Sequence, residues 1–219
     1  MTKKIDILTL FPNMVNAAFQ ESIIARAVSK GLLELNCHQI RQYTTNKQGK
    51  VDDYPYSGGP GLVMAYQPIA DCIRSVSAGD KPYIIYVSPQ GKPFNQKKAQ
   101  ELVQKENLMI LCGHYEGVDR RIIDEIIDEE LSIGDFVLTG GEIPACILVD
   151  CVSRLIDGVL AAPECYESES IACGMLEYPQ YTRPYEFHGQ KVPDVLLSGH
   201  HANIEKWRYE KALELTEAK

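Results

Sequence analysis

The sequence predicts an α/β protein built on a mostly parallel sheet. Short β-prone runs alternate with segments whose apolar residues recur at helical spacing, the arrangement of a sheet covered by helices on both faces. The β-prone runs stop abruptly at loops rich in Gly, Pro or Ser. No apolar run approaches the roughly 20 residues needed to span a bilayer.

In chain order, Ile5 to Leu10 predicts the first strand, ending at Pro12. From Asn13, an N-cap residue type, to Gly31, at a C′ position, the spacing predicts one helix. Residues 44–64 form a long polar, glycine-rich connection, and such loops in compact proteins are usually functional or mobile. Gln67 to Ser75 reads as a helix, and Tyr83 to Val87 as a dense strand stopping at Ser88-Pro89-Gln90-Gly91. Gln96 to Lys105 is helical in composition, and Leu108 to Cys112 is a buried-type strand stopping at Gly113. Ile122, Ile123, Ile126 and Ile127 give a helical stripe. Phe136-Val137-Leu138 predicts a further strand, stopping at Thr139-Gly140-Gly141. Pro144 then suits a first helical turn, with Ile147, Leu148, Cys151, Val152, Leu155 and Ile156 as the apolar stripe behind it. Residues 159–175 form a polar linker between a domain at 1–158 and a small, mainly helical one at 176–219, whose helix is expected from about His201 to Thr216.

With 45% hydrophobic and 24% charged residues, the 219-residue chain has an ordinary globular composition. The N-terminus reads as a strand and not as a signal peptide, so a cytoplasmic protein without a membrane segment is expected. The seven cysteines are odd in number and scattered, without a Cys-x-x-Cys pair. They predict reduced thiols, with no zinc site and no disulfide framework. A net charge of −8 argues against a polyanionic partner, yet residues 1–50 hold seven Lys/Arg against three Asp/Glu, enough for a basic face.

Three glycine-bearing loops carry the chemistry: 88–91, 113–117 and 134–141. In parallel sheets ligands gather at the carboxyl ends of strands, where such loops meet. Glycine lets the backbone come close to a ligand, and its N–H and C=O groups can read an adenine edge or hold a ribose. Any one loop of this kind is most often a plain turn; three together point to a ligand. The dinucleotide Gly-x-Gly-x-x-Gly, the phosphate-binding Gly-x4-Gly-Lys-Ser/Thr and the nucleophile elbow are all missing from the sequence. His114 has no neighbouring pattern of metal ligands or triad partners.

At these loops the chain resembles the bacterial tRNA (guanine-N1)-methyltransferases of the knotted SPOUT class. The resemblance lies in SIIARAVSKGLLE (22–34), VDDYPYSGGPGLVM (51–64), YVSPQG (86–91), LCGHYEGVD (111–119), SIGDFVLTGGEIPA (132–145), LEYPQYTRP (176–184) and VPDVLLSGHHANIEKWR (192–208). It implies a C-terminal trefoil knot in the catalytic domain, which no periodicity could reveal. It implies that S-adenosylmethionine binds in a bent form on the knot loops. Carried onto this chain these are Tyr86, Val87, Ser88, Pro89, Gln90 and Gly91; then Gly113, His114, Tyr115, Glu116 and Gly117; then Ile133, Gly134, Phe136, Leu138, Gly140, Gly141 and Pro144. It further implies an obligate homodimer whose partner completes each site, with the 147–156 stripe as a candidate interface, and tRNA held in part by residues 176–219.

The implied reaction methylates N1 of the guanine immediately 3′ of the anticodon, position 37. Guanine N1 carries a proton, so the methyl can arrive only as a general base removes it, while a cation or donor stabilises charge growing on O6. The displacement is in line, so positioning does much of the work, and the base must leave its stack to reach the site. The resemblance assigns the O6 role to Arg154, a residue that would otherwise be the polar face of a helix. It assigns the base to Glu169, where the family has Asp-Ser and this chain has Glu169-Ser170, with Glu167 as a neighbouring rival. His114 stands where the family usually has arginine, and Ser57 replaces a glycine. The chain ends at Thr216-Glu217-Ala218-Lys219, where relatives commonly continue into a basic tail, and weaker tRNA contacts are expected from this. Family activity depends on magnesium, but no carboxylate cluster in the sequence specifies a metal site. Two rival readings remain: a catalytically impaired S-adenosylmethionine-binding RNA protein, and a phosphotransferase, which would need a phosphate cradle with a lysine.

Overall fold

The computed structural model describes residues 2–56, 58–161, 170 and 174–219. The chain forms two compact units, Met1–Ala161 and Ala162–Lys219. The first is laid out as β1 (Lys3–Thr9), α1 (Pro12–Ala18), α2 (Ser22–Ser29), β2 (Leu33–Gln39), β3 (Asp52–Asp53), β4 (Val63–Met64), α3 (Tyr66–Val76), β5 (Tyr83–Pro93), α4 (Gln96–Val103), β6 (Asn107–Cys112), α5 (Arg120–Glu125), β7 (Glu129–Ser132) and α6 (Glu142–Ser153). Five strands form one sheet in the order β2-β1-β6-β5-β7, and every pairing in it is parallel.

Alternation along the central strands divides the core in two. Ile5, Ile7, Ile85, Val87, Leu108, Ile110 and Cys112 face one side, under Val15 of α1, Ile24 and Ala27 of α2, Ala99 and Leu102 of α4, and Ala145, Leu148, Val149 and Val152 of α6. Leu8, Ile84, Tyr86, Met109 and Leu111 face the other, under Ile69, Ala70, Cys72 and Ile73 of α3 and Ile122 of α5. Each fully buried Leu or Ile here contributes about 1.5–3 kcal/mol, which makes this two-sided burial the main source of stability.

Several expected elements differ. The single helix expected over 13–31 is two, α1 and α2, because the chain turns at Phe19–Glu21 and Ser22 has φ +62°. That turn lets apolar residues of both short helices reach the same side of the sheet. Pro12, at the first turn of α1, starts it ahead of Asn13, and the capping residue is Phe11. Phe136-Val137-Leu138 is not a strand: these residues are 53%, 84% and 38% exposed. The strand of that region is β7, whose Glu129 and Glu130 disguise it as a solvated acidic run. Glu129 is held by Lys98 at 3.0 Å and accepts a hydrogen bond from Tyr83 Oη at 3.2 Å. β5 does not end at Val87. Val87 and Lys92 both pair with Leu131, so residues 88–91 bulge out of the ladder between them.

The opposite, amino-terminal end of the sheet is tied by Lys3. Its buried ammonium donates to the Leu102 and Val103 carbonyls, each at 3.1 Å, and to that of Lys105, which closes the carboxyl end of α4. Burial lowers its pKa to about 8.

The second unit holds the hairpin β8 (Glu186–Phe187) and β9 (Gln190–Lys191), the short α7 (Asp194–Leu197) and the long α8 (His201–Glu217). Trp207 packs edge-on or tilted against Tyr178 and Tyr181, with centroids 6.4 and 6.3 Å away, and the Arg208 guanidinium lies 4.9 Å over Tyr178. Thr216 Oγ1 accepts from the Leu176 amide at 2.8 Å, fixing the start of this segment to α8.

Candidate functional site

A cleft of about 370 Å³ opens at the carboxyl ends of β5, β6 and β7. Three loops build it, and all three belong to the first unit. The first is the bulge of β5, contributing Tyr86, Val87, Ser88, Pro89 and Gln90. Ser88 Oγ accepts from the Gln90 amide at 3.0 Å, which shapes the bulge. Burial raises the Tyr86 phenol to a pKa of about 12, the charge of Glu130 adds to this, and a hydrogen bond from the Val118 backbone opposes it. The phenol is therefore a neutral wall. Gly91 does not line the cleft; its α-carbon is pressed against β7, where a side chain would collide with the Glu130 and Leu131 backbone.

The second loop supplies Gly113, His114, Tyr115, Glu116, Gly117 and Val118. It is strapped to the end of the 44–64 connection: the Glu116 amide donates to Leu62 O, Met64 N to Gly117 O and Asp119 N to Met64 O, each at 2.9 Å. Arg41 reaches in from behind to donate to Tyr115 Oη at 3.3 Å. The long polar connection thus serves as the outer brace of the cleft.

The third loop runs from Ser132 to Pro144 and contributes Ile133, Gly134, Phe136, Leu138, Gly140, Gly141 and Pro144. Ser132 Oγ donates to Gly134 O at 3.1 Å, setting the turn out of β7. The Gly141 amide donates to Gly113 O at 2.8 Å and joins the third loop to the second. A Cβ on Gly141 would lie 2.8 Å from Cys112 Cα and from Val87 Cγ2, so only glycine lets these segments meet.

The cleft therefore gathers every expected binding residue except Gly91. It also includes Val137 and Thr139 of the 134–141 loop, and Val118, Arg120, Ile123, Glu130, Leu131 and Ser132, which were not anticipated. Glu130, Leu131 and Ser132 follow once β7 is set at Glu129–Ser132, because the third loop then begins at Ser132. The walls combine exposed apolar side chains, from Phe136 to Leu138, with backbone polar groups and the carboxylates of Glu116 and Glu130. A pocket of this size and mixture suits a flat heterocycle joined to a polar, positively charged group.

Arg154 does not line the cleft. It is the half-buried C-cap of α6. It lies ten residues beyond Pro144, roughly 15 Å along the helix axis at 1.5 Å per residue. Glu169 and its rival Glu167 lie outside the described residues, as does Ser57. The outward side of α6 carries Ile143 and Ile147, 47% and 39% exposed, and α1, which packs on α6, carries Met14 at 50%. Among the described residues no three His, Cys, Asp or Glu side chains converge to hold a metal, and no helix is long and apolar enough to cross a membrane.

Comparison with known proteins agrees with this geometry. Residues 3–219 match the family model for the tRNA (guanine-1)-methyltransferase TrmD. A tRNA (guanine-N(1)-)-methyltransferase of Ruminiclostridium cellulolyticum is 57% identical over 99% of this chain and 94% of its own. One from Clostridium acetobutylicum is 55% identical over 97% of this chain and 87% of its own. Among solved structures, the tRNA (m1G37) methyltransferase from Aquifex aeolicus superposes with a TM-score of 0.85 at 39% identity, covering 100% of this chain and 93% of that one.

Proposed function

The chain belongs to the tRNA (guanine-1)-methyltransferase family, and we propose that it transfers a methyl group from S-adenosylmethionine to N1 of guanine 37 in tRNA. The observation that carries this reading is the meeting of three glycine-bearing loops at the carboxyl ends of the strands, closed by the Gly141–Gly113 hydrogen bond. The trefoil knot implied by the resemblance would be formed by this same crossing of loops.

The cleft fits the methyl donor. Its apolar third loop suits an adenine ring, backbone groups of the glycine loops suit ring edges and ribose hydroxyls, and Glu116 and Glu130 offset positive charge. The donor supplies an electrophilic methyl on a sulfonium, and the protein's tasks are to hold it, exclude water and manage one proton. Glu169 would take the N1 proton as the methyl arrives, and Arg154 would stabilise the charge growing on O6.

The distance along α6 between Pro144 and Arg154 supports a shared site. In a homodimer packed through the exposed Ile143 and Ile147, Arg154 of one protomer would serve the cleft of its partner. The aromatic and cationic residues of the second unit, including Trp207, Arg208 and the exposed Tyr209, suit contacts with tRNA. The reaction would take place in the cytoplasm, where tRNA is processed.

The test is incubation of the purified protein with labelled S-adenosylmethionine and two tRNA transcripts, one with guanine and one with adenine at position 37. Label is expected only in the first, mapped to guanine N1. Measurable donor binding without transfer would instead favour the impaired RNA-binding reading, with Glu169 as first suspect.

A further inference from the structure

The second loop carries a polar atom without an assigned task. His114 Nδ1 is buried and makes no hydrogen bond, although buried polar atoms nearly always have a partner. Facing it at 4.0 Å is Glu142 Oε2. Glu142 is only 3% exposed. Its other oxygen, Oε1, accepts from Thr9 Oγ1 at 2.7 Å, and that hydroxyl accepts in turn from the Phe11 amide at 2.8 Å. The one hydroxyl proton of Thr9 is thus committed to Glu142, and the carboxylate is anchored with its second oxygen toward the imidazole.

Gly140 stands between the two side chains. A Cβ there would fall 2.6 Å from His114 Nδ1 and closer still to Glu142 Oε2. The same glycine forms a β-bridge with His114. The Phe11 ring, 5.0 Å away, and the edge-on Tyr115 ring, 5.1 Å away, hold the imidazole from the sides. His114 helps to form the wall of the cleft.

We propose that Glu142 and His114 form a carboxylate–imidazole couple, with Nδ1–H donated to Glu142, that presents His114 Nε2 to the cleft as a hydrogen-bond acceptor for an amine or hydroxyl of bound S-adenosylmethionine. The second ring nitrogen of a neutral imidazole must be an acceptor once the first is fixed as a donor. An arginine at this position could offer only donors, whereas a neutral imidazole can also accept. The couple rests on the reading of the cleft as the methyl-donor site.

Long-range ¹H–¹⁵N spectra of imidazole-labelled protein, saturated with S-adenosylhomocysteine at mildly alkaline pH, test it together with calorimetric titration. The expected result is a single neutral tautomer of His114 with its proton on Nδ1. Glu142→Gln should remove that preference and weaken binding about tenfold, as loss of one buried charge-assisted hydrogen bond would. His114→Ala should weaken binding by about as much, and the double variant by no more than either single one. A proton on Nε2 in the complex, or losses that add in the double variant, would overturn the couple. If Glu142→Gln does not fold, His114→Asn keeps a donor toward Glu142 while withdrawing the acceptor. It should weaken binding about tenfold with the melting temperature unchanged, and wild-type affinity in it would overturn the proposal. Absence of binding by the unaltered protein would overturn the reading of the cleft, and the couple with it.

Discussion

The two ends of the parallel sheet are built by opposite rules. At the amino-terminal end, polar groups are paired: Lys3 closes the end of α4, and Glu129 is held by Lys98 and Tyr83. At the carboxyl end, β5 bulges, apolar residues 136–138 stay exposed, and His114 lines the cleft. The first end holds the fold; the second keeps surface and polar capacity open for a ligand. Substitutions at the two ends should therefore separate stability from binding.

The largest effect is expected at the carboxyl end. Gly141→Val places side-chain atoms on Cys112 and Val87 and parts the second and third loops. It should lower affinity for S-adenosylhomocysteine at least about 100-fold in calorimetric titration, since the backbone contacts that would hold a ligand are displaced together. Wild-type affinity in this variant would show that the loops need not meet to bind.

At the other end, Lys3→Met leaves the carbonyls at the end of α4 without their buried donor. A loss of about 3 kcal/mol in denaturant unfolding is expected, with affinity per folded molecule unchanged. The same residue sets a pH dependence. The folded-state pKa of about 8 lies below the usual 10.5, so between these values the unfolded chain binds more protons and stability rises with pH. Below pH 8 the burial penalty on the charged form is fully present. Lys3→Met should flatten that alkaline rise when unfolding is followed across the window, and an unchanged slope would contradict the assignment.

Two smaller changes sharpen the contrast. Phe136→Ala removes a half-exposed cleft wall, so affinity should fall about five- to tenfold while stability moves by less than about 0.5 kcal/mol. Tyr86→Phe deletes a phenol oxygen that serves only as a neutral acceptor. It should cost about 1 kcal/mol of stability and leave the pH profile of methyl transfer unchanged, because the phenol does not titrate near neutrality.

The same contrast explains what the sequence made legible. The central strands β1, β5 and β6 are buried on both faces, so they read as continuous apolar runs, and the glycine loops after β5 and β6 were plain. β7 was hidden because its first two residues are glutamates, and the partners of Glu129, Lys98 and Tyr83, are distant in sequence. Phe136–Leu138 looked like a strand for the mirror-image reason, being apolar yet exposed on the cleft wall and not buried in the core. Edge strand β2, Leu33–Gln39, has only Leu33 fully buried and gives no clear alternation. The loop residues that the family resemblance named line the cleft apart from Gly91, whose need for glycine comes from β7 packing. The approach of Glu142 to His114 was beyond reach, because it depends on Gly140, two residues before Glu142, leaving room for an imidazole from another loop.

The most direct test is a crystal structure of the protein with S-adenosylhomocysteine. The account predicts the ligand enclosed by all three loops, with its adenine against residues 133–138 and the Gly141–Gly113 hydrogen bond intact. A ligand bound elsewhere, or one that parts Gly141 from Gly113 in order to enter, would contradict it.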